Sequence, residues 1–179
     1  MNQAGQDYCV LQAQNGQPRA FYLLFRHYQK PLLSFALKIC DRQDIAADAC
    51  QETWIKIARN IQQIKDPRAF KSWLYKTLKW KLLDLIKSES KHPTENHNQP
   101  NQVAPIETMH HENTHPTLQQ AVDCLPSIEK QIIHLFYYES MSIKEIAHIL
   151  KLATGTVKSR LFRAREQLKQ KYLTLEKQP

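Results

Sequence analysis

The chain has 179 residues, 42% of them hydrophobic, with a formal net charge of +8 and a pI near 9.3. This length suits one medium domain or two small ones, and the scarcity of glycine favours helices. No apolar run approaches the ~18 residues that span a membrane, and the N-terminus lacks a signal-peptide pattern, so we expect a cytoplasmic protein. The excess of positive charge indicates a polyanionic partner.

Residues 1–90 predict an N-terminal helical domain. A short helix over 6–14 precedes a long apolar helical pattern, PRAFYLLFRHYQKPLLSFALKIC, which Pro31 can kink. An amphipathic helix follows in DRQDIAADACQETWIKIARN. A fourth helix begins with Asp66 as its N-cap and Pro67 at its first position.

The third predicted helix has one acidic side, which we call the acidic face. Its inner side is apolar or small, with Ala46, Ala49, Cys50, Thr53, Trp54 and Ile57. An acidic surface on a basic protein is unsuited to DNA, and an apolar isoleucine within it favours docking of another protein. A solvated charged surface is the alternative. The acidic face consists of Asp44, Asp48, Gln51, Glu52 and Ile55.

The fourth predicted helix carries alternating tryptophan and lysine residues, which we call the Trp/Lys face: Trp73, Lys76, Lys79 and Trp80. Its core stripe lies on another side, with Phe70, Leu74, Leu78 and Leu85. Rings and cations on one side of a helix suit stacking on unpaired bases next to phosphates. The alternative is a second packing surface. For Trp73 the packing surface and the stacking surface are equally plausible, whereas we expect Trp80 to be exposed.

Residues 91–116 predict a flexible linker, because the helical pattern breaks in SESKHPTENHNQPNQVAPIETMHHENTHP. Its histidines follow no standard metal-site spacing and have no scaffold, so we expect no metal and no other cofactor. They are His92, His97, His110, His111 and His115.

Residues 117–179 predict a second helical domain, with helices over 117–124, in PSIEKQIIHLFYYES, over 142–150, and from Thr154, the expected N-cap, onward. The last two, joined by the turn KLA, have helix-turn-helix spacing, and the second would enter a major groove. An ordinary helical hairpin is the alternative. Lys151 stands where this turn often has glycine, so we expect a strained left-handed residue there. The predicted fold is all-α, with two small helical domains and a C-terminal helix-turn-helix.

The last predicted helix places an aromatic ring on its solvent-exposed side. Val157, Leu161, Ala164 and Leu168 form the buried stripe. Phe162 lies opposite, where a thymine methyl could cover it. We therefore expect base contacts from a recognition face of four residues and phosphate contacts from Arg160 and Arg165. The recognition face comprises Lys158, Ser159, Phe162 and Arg163.

Enzyme signatures are absent: the sequence has no GxxxxGK[ST], GxSxG or HExxH. The four cysteines form no CxxC pair, which favours reduced thiols over a redox or metal role. We therefore expect a non-catalytic protein. The cysteines are Cys9, Cys40, Cys50 and Cys124.

In combination these motifs resemble the extracytoplasmic-function (ECF) sigma factors of bacterial RNA polymerase. The segment DACQETWIKIARN resembles the region 2 helix with the signature Asp-x-x-Gln-Glu, matched by Asp48, Gln51 and Glu52. The segment FKSWLYKTLKWKLLDLIKS resembles the part that opens the promoter -10 element, although Trp80 stands where the family most often has asparagine. The segments LPSIEKQIIHLFYYESMSIKEIAHIL and GTVKSRLFRAR resemble region 4, which recognises the -35 element.

The resemblance implies which partners the chain has. Core RNA polymerase would bind Asp48, Gln51, Glu52 and Ile55 through the clamp helices of its largest subunit, and promoter DNA would bind the other two faces. Members of the family are often held by an anti-sigma factor, commonly a membrane-bound one.

Two alternatives to a sigma factor stay open. The first is a free-standing helix-turn-helix regulator, which needs neither the acidic nor the Trp/Lys face. The second is a histidine-dependent metal enzyme or sensor, which the metal content of the purified protein would reveal.

Overall fold

The computed structural model describes residues 1–91 and 116–176, and over these ranges it is helical without a strand. This confirms the all-α prediction. The predicted linker and its five histidines lie outside the described residues, except that Lys91 ends one helix and Pro116 begins another. The helices are α1 (Gln3–Gln14), α2 (Pro18–Leu37), α3 (Gln43–Asn60), α4 (Phe70–Lys91), α5 (Pro116–Asp123), α6 (Ser127–Ile133), α7 (Ile143–Leu150) and α8 (Thr154–Glu176).

The N-terminal domain is a bundle of α1 to α4. Asn2 accepts a hydrogen bond from the Gly5 amide, so α1 begins earlier than the sequence pattern predicts. Helix α2 continues through Pro31. Asp66 caps a short 3-10 turn, Pro67–Ala69, which leads into α4. The core is built from fully buried side chains of α2, α3 and α4: Leu24, Leu32, Phe35, Ile57, Phe70, Leu74, Tyr75, Leu78 and Leu82.

The C-terminal domain contains α5 to α8. The predicted helix PSIEKQIIHLFYYES divides into α6 and a π-helical segment, His134–Tyr138. Ser142 and Glu145 form a reciprocal capping box at the start of α7. Helix α8 begins at Thr154, so Thr154 lies in its first turn and is not the cap. Apolar side chains fill the centre: Leu125, Ile132, Leu135, Ile146, Leu150, Val157 and Leu161.

The two domains pack against each other along α4 and α7. Ser72 Oγ donates to Glu145 Oε1 at 3.1 Å, and the rings of Phe35 and His134 lie 5.6 Å apart. Lys71 Nζ lies 3.1 Å from Glu139 Oε2 and also donates to the Glu139 carbonyl. We call this packing of the two domains the docked arrangement. Every helix of the described chain is too short or too polar to cross a membrane.

Candidate nucleic-acid and protein interfaces

The exposed side of α8 carries the recognition face. Phe162 is 64% exposed, and Lys158, Ser159 and Arg163 are exposed around it. Val157, Leu161 and Ala164 are buried on the opposite side, as the periodicity predicts. A ring of this size in water leaves apolar surface without a partner within the described chain. The geometry therefore presents Phe162 among cations to an outside ligand.

Arg160 and Arg165 are each held by a side chain that the sequence reasoning missed. Arg160 Nη1 donates to Glu129 Oε1 at 2.7 Å, and Glu129 is buried. Arg165 Nε donates to the Tyr137 hydroxyl at 2.7 Å, and its guanidinium lies over the Phe136 ring, 5.3 Å from the centroid. The sequence feature that could have revealed the partners of Arg165 is the aromatic stretch FYYE, in which Tyr137 is exposed. Both arginines are thus pre-positioned beside the recognition face.

The turn between α7 and α8 has the expected strained residue. Lys151 adopts φ 56° and ψ 47°, the left-handed region, at the C-cap of α7. This conformation costs a residue with a Cβ about 1–2 kcal/mol more than glycine. The Leu152 amide then donates to the Ala147 carbonyl at 3.0 Å, which closes the turn. The left-handed residue thus ends α7 and leads the chain into α8.

The Trp/Lys face divides between solvent and the C-terminal domain. Trp80 is 49% exposed, as expected, and Lys56 Nζ lies 4.2 Å from its ring centroid. Lys76 Nζ lies 2.9 Å from His148 Nε2, and Lys79 Nζ donates to the Leu150 carbonyl at 3.0 Å. Burial lowers the pKa of Lys79, and the charge of Lys151 lowers it further. Trp73 is half-buried beside these lysines, so part of this face is a packing surface in the docked arrangement.

The acidic face lies on the outer side of α3. Asp48, Gln51 and Ile55 are exposed, Ile55 to 44%. Glu52 is half-buried, with Oε2 2.5 Å from Lys81 Nζ on α4. At the start of α3, Arg42 lowers the pKa of the Asp44 carboxyl by a hydrogen bond. The predicted inner side, including Trp54 at 6% exposure, is buried. The face thus offers an apolar side chain within a carboxylate rim.

The possible metal ligands and thiols can be located only among the described residues. These contain no group of three or more histidine, cysteine or acidic side chains placed to hold a metal ion. All four cysteines are free. Burial raises the pKa of the Cys50 thiol to about 12 and raises that of Cys40, so both are protonated near neutral pH.

Comparisons with known proteins place the two domains in one family. The Sigma-70 region 2 model matches residues 24–92, and the Sigma-70, region 4 model matches residues 116–168. An ECF RNA polymerase sigma-E factor of Haemophilus influenzae is 30% identical, over 90% of this chain and 92% of the relative. RNA polymerase sigma-H factor of Pseudomonas aeruginosa is 28% identical, over 89% of each.

Solved structures show the same fold. CnrH in complex with the cytosolic domain of CnrY has a TM-score of 0.62 and 21% identity, over 92% of this chain and 95% of that one. The sigma factor RpoE of Bartonella quintana, in complex with the anti-sigma factor NepR, has a TM-score of 0.63 and 20% identity, over 89% and 98%. The helical domains with their helix-turn-helix are those of a Sigma-70-type transcription initiation factor. The chain belongs to the ECF family of RNA polymerase sigma factors.

Proposed function

We propose that the chain's three exposed faces carry separate parts of sigma-factor function. The acidic face of α3 binds the clamp helices of core RNA polymerase, the Trp/Lys face of α4 contacts the opened -10 element, and the recognition face of α8 contacts the -35 element. The chain supplies promoter specificity in the cytoplasm, and the polymerase supplies the chemistry. The observation that supports this most directly is Phe162, exposed among cations on the second helix of a helix-turn-helix.

Polymerase docking follows from charge and exposure. A phosphate backbone would be repelled by Asp48 and Glu52, whereas a basic protein surface would be attracted to them. Ile55 supplies apolar contact within the same surface. Lys81 holds Glu52 in place, which reduces the side-chain entropy lost on binding.

Contact with the -10 element requires a change of arrangement. Trp80 can stack on an unpaired base where it stands, because half of its surface is exposed. Lys76 and Lys79 are engaged by His148 and Leu150 of α7, so they reach phosphates after α7 moves away. We infer that the docked arrangement belongs to the free chain and that the promoter complex is undocked.

Contact with the -35 element follows from the geometry of α8. Lys158 and Arg163 can donate to guanine O6 and N7, and Phe162 can contact a thymine methyl. Arg165, held by Tyr137, and Arg160, held by Glu129, are placed to bind flanking phosphates. One of the structures with this fold is a complex of a sigma factor with an anti-sigma factor. We therefore infer an anti-sigma partner for this chain also.

Transcription in vitro tests the proposal. Purified core RNA polymerase is incubated with a genomic DNA library, with and without the chain, and the 5′ ends of transcripts are mapped. We expect start sites that depend on the chain and share two upstream elements. Sequence-specific DNA binding by the chain alone, without new start sites in the presence of core polymerase, would instead indicate a free-standing regulator.

A further inference from the structure

A cavity of about 390 Å³ lies between α4 and the end of α7. Its volume falls within the range of roughly 300–1,000 Å³ typical of small-molecule sites. Both domains form its walls: α3 and α4 contribute from one side, and Ile149 and Lys151 from the other. The residues that matter for recognition are Trp73, Trp80, Lys56, Lys76, Lys79 and Lys151.

The cavity offers aromatic surface. Trp73 and Trp80 lie two turns apart on the same side of α4, and both border the cavity. Lys56 Nζ lies over the Trp80 ring, 4.2 Å from its centroid, so the cavity wall combines a cation with an aromatic ring. A planar heterocycle would gain stacking here, which is worth about 1–3 kcal/mol for a base on an aromatic ring.

The cavity also has uncompensated positive charge. The described residues that line it include four lysines and no carboxylate. Within the described chain none of these four lysines forms an ion pair. Elsewhere on α4, by contrast, Lys71 and Lys81 each face a glutamate. Lys151 lies close enough to Lys79 to disfavour the charge of Lys79, so an anion between the two side chains would be stabilising.

We propose that this cavity binds a free nucleoside phosphate, with its base against the tryptophan rings and its phosphates between lysines of both domains. Aromatic surface and paired cations together match the two halves of such a molecule. Because Lys151 is the C-cap of α7 and the other lysines belong to α3 and α4, the complete site exists in the docked arrangement. Bound ligand therefore holds α7 on α4. If the Trp/Lys face contacts the -10 element, as the proposed function has it, bound ligand opposes that contact.

Calorimetric titration of the full chain tests the site, with ADP and GDP as probes and with adenosine and inorganic diphosphate as their separate halves. We expect saturable binding of at least one nucleotide, and binding of either half weaker by about tenfold, since one stacking or charge-assisted contact is lost. Diphosphate bound as tightly as the nucleotides would overturn the proposal in favour of a plain anion site. Absence of nucleotide binding would overturn it as well.

A variant pair on α7 locates the ligand. Lys151→Asn removes the charge and keeps a residue type that tolerates the left-handed region. Lys144→Gln removes an exposed charge at the other end of the same helix. We expect Lys151→Asn to weaken nucleotide binding by about tenfold, the scale of one charge-assisted hydrogen bond, and Lys144→Gln to leave it unchanged. Equal affinity in wild type and Lys151→Asn contradicts the proposed position. Neither DNA nor polymerase is present, so this result and that of the transcription experiment are independent.

Discussion

Lys71 of α4 and Glu139, just beyond the π-helical segment, form an ion pair that joins the two domains, with Nζ 3.1 Å from Oε2. The carboxylate is 8% exposed, and its other oxygen lies 3.6 Å from His134 Nε2. Burial alone would raise the pKa of Glu139, but His134 and Lys71 outweigh burial and lower the pKa from its usual 4.5 to about 2. The ionised carboxylate is therefore the form that the fold stabilises.

Replacing this carboxylate should reduce stability in a pH-dependent way. A depressed pKa contributes stability that is complete above about pH 4.5 and is lost as the pH falls towards about 2. We expect Glu139→Gln to lower the free energy of unfolding at pH 7 by about 3 kcal/mol, with the difference from wild type narrowing below pH 4.5. Urea denaturation at pH 7 and pH 4 measures it. Glu89→Gln, which removes an exposed partner of Arg42, is the control, with an effect under about 1 kcal/mol.

Phe162→Ala should change DNA recognition without changing stability. The ring is 64% exposed, so its removal leaves no cavity in the core. The neighbouring Leu161, 4% exposed, provides the matched control, because Leu161→Ala should cost about 2–5 kcal/mol. Melting temperature and -35 selectivity in holoenzyme are measured for both variants. A large loss of melting temperature in Phe162→Ala, with selectivity intact, would show that the ring is structural.

Arg163→Ala and Arg160→Ala should separate base recognition from structure. Arg163 is exposed, and we expect its removal to cost about 1–3 kcal/mol of binding and to relax preference at one -35 position. Arg160→Ala leaves Glu129 buried without its partner, so it should lower stability by about 1–3 kcal/mol. Base-substituted -35 sequences and thermal denaturation distinguish the two. Uniform loss across all sequences in Arg163→Ala would assign Arg163 to a phosphate.

The acidic face should determine polymerase binding. Asp48 is exposed, so Asp48→Arg reverses its charge without disturbing the core. Asp48→Arg combined with Glu52→Arg also replaces the partner of Lys81. We expect the double variant to abolish association with core polymerase and the single one to weaken it, while circular dichroism stays native. Asp84→Arg, at an exposed acid on α4, controls for the net-charge change of the single variant. Undiminished association of the double variant in gel filtration would exclude this surface.

Trp80→Ala should impair promoter opening more than polymerase binding. The ring is half exposed, and stacking on an unpaired base is worth about 1–3 kcal/mol. Lys76→Ala with Lys79→Ala should act in the same direction through lost phosphate contacts. Permanganate footprinting measures the melted region, and Tyr22→Ala removes a ring of similar exposure on α2 as the control. Unchanged footprints would make the Trp/Lys face a packing surface.

Periodicity predicted those features that depend on one helix. The buried stripe of α8, the exposed Phe162 and the inner side of α3 follow from 3.6-residue spacing, because each concerns which side of a helix is apolar. The left-handed Lys151 followed from its position in the turn, where glycine is common. The assignment of these faces to polymerase and promoter stays a prediction.

The docking of α7 on α4 could not be predicted in this way. Apolar side chains of both domains meet there, but the specific contacts of two lysines are polar: Lys76 with His148, and Lys79 with the Leu150 carbonyl. Such side chains have the pattern of a solvated surface, and sequence spacing carries no information on which partner a lysine meets. The division of the predicted helix PSIEKQIIHLFYYES into α6 and a π-helical segment was missed for a related reason, since a π-helical insertion leaves the apolar composition unchanged.

Because α7 contacts lysines of α4 that are proposed to bind DNA, the C-terminal domain and DNA compete for the same surface of the chain. Any molecule that requires Lys76 and Lys79 must displace α7, so its apparent affinity is the intrinsic affinity multiplied by the undocked fraction of chains. Each 1.4 kcal/mol or so of docking free energy weakens apparent binding about tenfold. Substitutions far from any base, such as one at Glu139, would then tighten the binding of single-stranded DNA while loosening the protein itself.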